Sequence, residues 1–145
     1  MRILQLNTYP IHQPRNGGQR RIAALHDAYR MAGVEAHFTA IFYPAHYPPG
    51  SFTDGDIAIG PTVRAAIHER PCLEDVVIGA RFIEDRECLE KFLQTWRGFQ
   101  PDVLEFEGPY LWAAIRGLID EGAIRRPRII YSSQNVESEL KARTG

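Results

Sequence analysis

The chain has 145 residues, 44% hydrophobic and 24% charged, with a formal net charge of −1. That is one domain's worth of an ordinary globular protein, without the basic excess that nucleic-acid binding calls for. No apolar run approaches the roughly 18 residues of a membrane span, and the first strand pattern starts within three residues of Met1, so neither a transmembrane segment nor a signal peptide is expected.

Ile3-Leu4-Gln5-Leu6 is an apolar run too short for anything but a strand. A polar loop follows, with Pro10, Pro14 and the pair Gly17-Gly18, and a helical pattern begins at once. Ile22, Leu25, Tyr29 and Ala32 fall at helical spacing, while Arg20, Arg21, Asp27 and Arg30 point elsewhere. Gly33 can stop the helix, and Val34 to Phe42 alternates as a strand does. Strand, glycine loop, helix, strand is a βαβ unit, the building block of parallel sheets. The glycines stand between a strand's carboxyl end and a helix's first turn, where open α/β sheets bind ligands and where an anion is favoured. Their spacing is neither G-x-G-x-x-G nor the P-loop pattern, and a plain turn needing positive φ explains them equally well.

Residues 44–56, PAHYPPGSFTDGD, read as a loop, either an exposed connection or part of a pocket. Ile57-Ala58-Ile59 is a short strand candidate, and residues 60–81 fit strand or helix. Clarity returns at 84–98, where Leu89, Phe92, Leu93 and Trp96 mark a helix face that ends at Gln100-Pro101. Val103 to Phe106 is a strand; Glu107-Gly108-Pro109-Tyr110 turns the chain into a helix with Leu111, Ala114, Ile115, Leu118 and Ile119 inside, ended by Gly122. Residues 128–132 form the next strand, SSQNVES the turn beyond it, and a last helix starts near Val136. The order implies an α/β fold, a doubly wound, Rossmann-like parallel sheet in three αβα layers, with 3–7 near its centre. The loops 8–18, 107–110 and 132–137 would then share one sheet edge.

The cysteines, Cys72 and Cys88, and the scattered histidines 12, 26, 37, 46 and 68 show no metal-ligand spacing. No metal or cofactor is expected, and the thiols read as reduced, in a cytoplasmic setting. Glu105 and Glu107, two apart on one strand, could face one way as an acid/base pair.

MRILQLNTYP, the loop with GGQRR, the helix ending in MAGVE, the strand QPDVLEFEGPY and the late IIYSSQNVESEL together resemble the amino-terminal domain of a GT-B glycosyltransferase of family four. Residues 44–82 contribute little to that resemblance. Members of the family are retaining, generally metal-independent enzymes with two Rossmann-like domains, the first shaping the acceptor site and the second holding most of the nucleotide-sugar donor. The resemblance implies that residues 1–145 are one incomplete acceptor-side domain of a longer enzyme, inactive alone, with an exposed sheet edge that favours self-association. It implies a nucleotide-sugar donor and a sugar or lipid-linked acceptor, with room for peripheral contact at the inner membrane face. It places Gly17, Gly18 and Arg21 beside the donor diphosphate, Glu107 and Tyr110 on the rim of the cleft, and Gln134, Asn135 and Glu137 in the loop facing the transferred sugar. Gln134 stands where many relatives carry histidine, and glutamine takes up no proton. It names no catalytic residue here.

Each of those positions has a plainer reading as well. Arg20 and Arg21 could be solvated surface, Asn135 a helix cap, and Glu137 a first-turn acid. The other functional class is a non-catalytic, flavodoxin-like α/β module that uses the same loops to hold a phosphate ligand.

Overall fold

The computed structural model describes residues 1–132. Five parallel strands, β1 (Arg2–Asn7), β2 (Glu35–Phe42), β3 (Ile57–Ala58), β4 (Val103–Phe106) and β5 (Arg128–Tyr131), lie in the order β3-β2-β1-β4-β5. The central place expected for residues 3–7 is observed: Ile3 is in register with Ala36 on one side and Val103 on the other. This order is the first five strands of the Rossmann arrangement 3-2-1-4-5-6 and differs from the flavodoxin order 2-1-3-4-5. The direction of winding reverses between β1 and β4.

The helices are α1 (Gly17–Met31), α2 (Pro61–Glu69), α3 (Glu74–Arg81), α4 (Arg86–Phe99) and α5 (Trp112–Asp120). The ambiguous stretch 60–81 is therefore helical. Pro61 pre-sets the first turn of α2, and Glu74 and Asp75 place negative charge at the start of α3. In α4, Asp85 caps the Cys88 N–H at 3.1 Å, and Gln100 closes the helix in the left-handed region at φ 49° before Pro101 forbids continuation.

The two faces of the sheet differ in chemistry. Leu4, Leu6, Leu104 and Phe106 point to one side and join Ile67, Ile78, Phe82, Phe92, Trp96 and Ile115 from α2–α5 in one apolar core. Phe82 meets Phe92 edge-on at 5.7 Å. Fully burying each such side chain stabilises by about 1.5–3 kcal/mol. The alternate residues Gln5, Asn7, Glu105 and Glu107 are buried too, and they lie on the opposite face, under α1. α1 buries Ile22 there, with Leu25 and Tyr29 half-buried; Ala32, expected on the inner face, is exposed because it has already left the helix as its C-cap. Strand β5 is exposed along its length and borders only β4 among the described residues.

Candidate functional site at the carboxyl edge of the sheet

The glycine pair belongs to the helix and not to the loop before it. Gly17 and Gly18 open α1, so the expected turn with positive φ is not their reason. What fixes the loop is a capping box: Asn16 Oδ1 accepts the Gln19 N–H at 2.9 Å, and Gln19 Oε1 reaches back to the N–H groups of Arg15 and Asn16 at 2.7 and 3.3 Å. The buried Gln19 amide also donates to the Pro10 carbonyl at 2.9 Å. A Cβ on Gly17 would meet nothing within 4 Å, so neither backbone conformation nor packing demands glycine there.

One turn into α1, Arg21 crosses the β1/β4 switch point. Its Nη1 is ion-paired with Glu107 just past β4, and its Nη2 donates to the Ser132 hydroxyl just past β5 at 2.8 Å. Tyr9, just past β1, donates from its phenol to the other Glu107 oxygen at 3.3 Å. Burial, with Glu107 beside it, raises the Tyr9 phenol above its ordinary pKa. Three sequence-distant loops therefore meet here, as their common place at the sheet edge implied. Glu107 lies at this crevice with its side chain only 9% exposed, whereas Arg21 is 42% exposed. Strand parity aims residue 107 inward at α1. Tyr110 packs on the other layer, where a Cβ added to Gly79 of α3 would overlap the Tyr110 carbonyl. Gln134, Asn135 and Glu137, and the last expected helix, lie outside the described residues.

Glu105 does share a face with Glu107, but a structural network engages it. Gln5 Nε2 donates to Glu105 at 3.1 Å, and the Tyr29 phenol bonds to the same carboxylate. His26 Nδ1 donates to Gln5 Oε1 at 2.7 Å. Burial raises the Glu105 pKa against the lowering effect of those hydrogen bonds. Both carboxylates lie against α1, with no gap for a substrate between the strand and the helix beyond a void of about 10 Å³. That space suits at most one water, and an acid/base pair across a substrate does not fit it.

Beside the switch point lies a groove of about 570 Å³, the size of a small-molecule site. The start of α1 (Arg15, Asn16, Gln19) forms one wall, and His46, Tyr47, Glu74 and Asp75 the other, with Tyr9 shared between groove and switch point. Thr8 donates to Asp75 at 2.7 Å, and His46 Nδ1 is 2.6 Å from Glu74. Burial raises the Glu74 pKa, and Asp75 adds to it, while His46 pulls it down. Burial and these two carboxylates push the Tyr47 phenol up to about 12. The loop 44–56 thus supplies a groove wall through His46 and Tyr47, the pocket role that its sequence left open beside that of an exposed connection. Nothing local marked Glu74 and Asp75, which α3 carries into place.

A second hollow, about 610 Å³, runs between α1, β2 and the turn at 53–56. Two of its polar groups serve the fold: Asp56 accepts the Ala40 and Thr53 N–H groups at 2.8 Å each, and the His37 ring packs tilted against Phe99 at 5.4 Å. Burial lowers the pKa of His26 and His37.

Strand order and switch-point crevice define a Rossmann-like α/β domain. Comparison with protein-family models, with curated proteins and with solved structures finds no match to the chain. Among the described residues no helix is long and apolar enough to cross a membrane.

Proposed function

We propose that this chain is the acceptor-side, Rossmann-like domain of a retaining GT-B glycosyltransferase that uses a nucleotide-sugar donor. The observation that carries the reading is the meeting of Tyr9, Arg21, Glu107 and Ser132 at the β1/β4 switch point, next to a ligand-sized groove. Ligands of doubly wound sheets bind at that point. The motifs that carry the family resemblance, GGQRR and EFEGPY, contribute Arg21 and Glu107 to that meeting.

The chemistry follows from the groups present. As the bond to the sugar breaks, the departing nucleoside diphosphate gains negative charge, which preorganised donors stabilise most. Gly17 and Gly18 leave space for a diphosphate to approach the first turn of α1. Arg21 adds a guanidinium whose exposed edge can meet phosphate while Glu107 fixes its position. The donor's remaining contacts belong to a second domain. The test is an assay of the complete enzyme with a panel of nucleotide sugars, reading the product's anomeric configuration by NMR. Retention is expected, with no turnover by residues 1–145 alone. Donor turnover by the isolated chain, or transfer with inversion, contradicts the proposal. A phosphate-binding module would hold a nucleotide at the same edge and transfer no sugar.

A further inference from the structure

We infer that the groove between the start of α1 and the first residues of α3, Glu74 and Asp75, takes a neutral, polyhydroxylated ring, so that the acceptor is a sugar presented without a phosphate or carboxylate at this point. The inference rests on the transferase reading for the word acceptor, but the binding site stands on its own geometry.

The groove combines the two features that a sugar ring needs. A pyranose has apolar C–H faces and a belt of hydroxyl groups. Tyr9 and Tyr47 bring aromatic surface to the groove, each with a polar tip. Glu74 and Asp75 bring carboxylates, each with several acceptor sites for hydroxyl donors, and Asn16 brings an amide. Both carboxylates are held in place, Asp75 by Thr8 and Glu74 by His46, so little ordering is left for the ligand to drive. Besides the tyrosines, an acyl chain would meet only Pro71 and Cys72, with charged and amide groups on both walls. An anion would have the Arg15 guanidinium at the start of α1 on one wall. On the other it would face Asp75, and Glu74 with His46 beside it at 2.6 Å, and like charges a few ångströms apart repel where water is partly excluded. Tyr9 ties the groove to the switch point through Glu107, which puts a ring in the groove next to the expected position of the donor.

The experiment is saturation-transfer NMR on the 145-residue chain with maltose, glucose and glucose 1-phosphate as probes. Maltose and glucose are expected to receive saturation, and Tyr47→Ala to abolish it. Glucose 1-phosphate is expected to bind about tenfold more weakly than glucose, with the gap closing in Glu74→Gln and Asp75→Asn. Equal or tighter binding of glucose 1-phosphate by the wild-type chain overturns the inference. So does the absence of any Tyr47-dependent sugar signal. Amide spectra establish that each variant is folded; should one unfold, the wild-type comparison of glucose with its phosphate decides alone. Sugar binding here by a protein that transfers none would overturn the transferase reading and leave this inference intact. Transfer to an acceptor phosphorylated at this point would do the reverse.

Discussion

Replacing Arg21 by alanine tests whether the switch point is built as described. Glu107 is 9% exposed and Arg21 is 42% exposed, so the pair is neither a surface bridge nor a fully buried one. Exposed pairs contribute about 0.2–1 kcal/mol, whereas stripping the partner from a buried charge costs about 3–5 kcal/mol. Water reaching Arg21 but hardly Glu107 puts the loss for Arg21→Ala near 2 kcal/mol. With a urea slope of about 1–3 kcal/mol/M, the unfolding midpoint drops by roughly 1 M. Glu107→Gln keeps the shape and removes the charge that needs a partner, so the double variant is expected to be less damaged than the sum of the singles. A double-mutant cycle in urea should give a coupling of about 1–2 kcal/mol. A loss below about 0.5 kcal/mol for Arg21→Ala, or no coupling, would show that the pair is incidental. The consequence for kinetics is direct: activity lost in Arg21→Ala has to be separated from stability before any of it is assigned to phosphate.

Gly17→Ala meets no neighbour and should leave stability unchanged or raise it by up to about 1 kcal/mol. In the complete enzyme it is expected to weaken donor binding; unchanged donor affinity would remove the case for close diphosphate approach. Gly79→Ala drives a Cβ into the Tyr110 carbonyl and should cost about 1–3 kcal/mol in thermal or urea melts. Gly98→Ala, in α4 with open space around it, serves as its control and should be neutral or stabilising. Burial raises the folded pKa of Glu105, so the folded state holds that proton more tightly. Its contribution to stability is full below the unfolded carboxylate pKa and is lost as pH rises through the raised folded value. Glu105→Gln should therefore gain stability relative to wild type at pH 7 and not at pH 4, and a gain independent of pH would contradict the burial argument.

The sheet was legible because its strands are short apolar runs punctuated by capping and breaking residues. Gly33 and Pro101 mark the ends of α1 and α4, and the alternation of strands and helices gives the parallel topology. Residues 60–81 were not, because their apolar residues belong to two short helices joined by a proline turn, each with too few turns to declare its period. Part of the site was also in plain view. Leu4 and Leu6 alternate with Gln5 and Asn7, and Leu104 and Phe106 with Glu105 and Glu107, a period-two pattern that marks one face of the sheet as polar. Taking Ile3-Leu4-Gln5-Leu6 as an apolar run passes over Gln5, which bonds Glu105 in the seam under α1. The part of the groove wall that α3 supplies could not be read locally. Glu74 and Asp75 look like ordinary first-turn acids, and only the packing of α3 beside the β1 loop brings Asp75 to Thr8.

The most direct measurement of the central claim is amide chemical-shift mapping of the chain titrated with nucleotide sugars and with neutral sugars. Shifts are expected at Tyr9, Gly17, Gly18, Arg21 and Glu107 for the nucleotide sugars, and at Tyr47, Glu74 and Asp75 for the neutral ones. Shifts confined to His26, Arg30 and His37 in the hollow between α1 and β2, or no shifts with any probe, would contradict it.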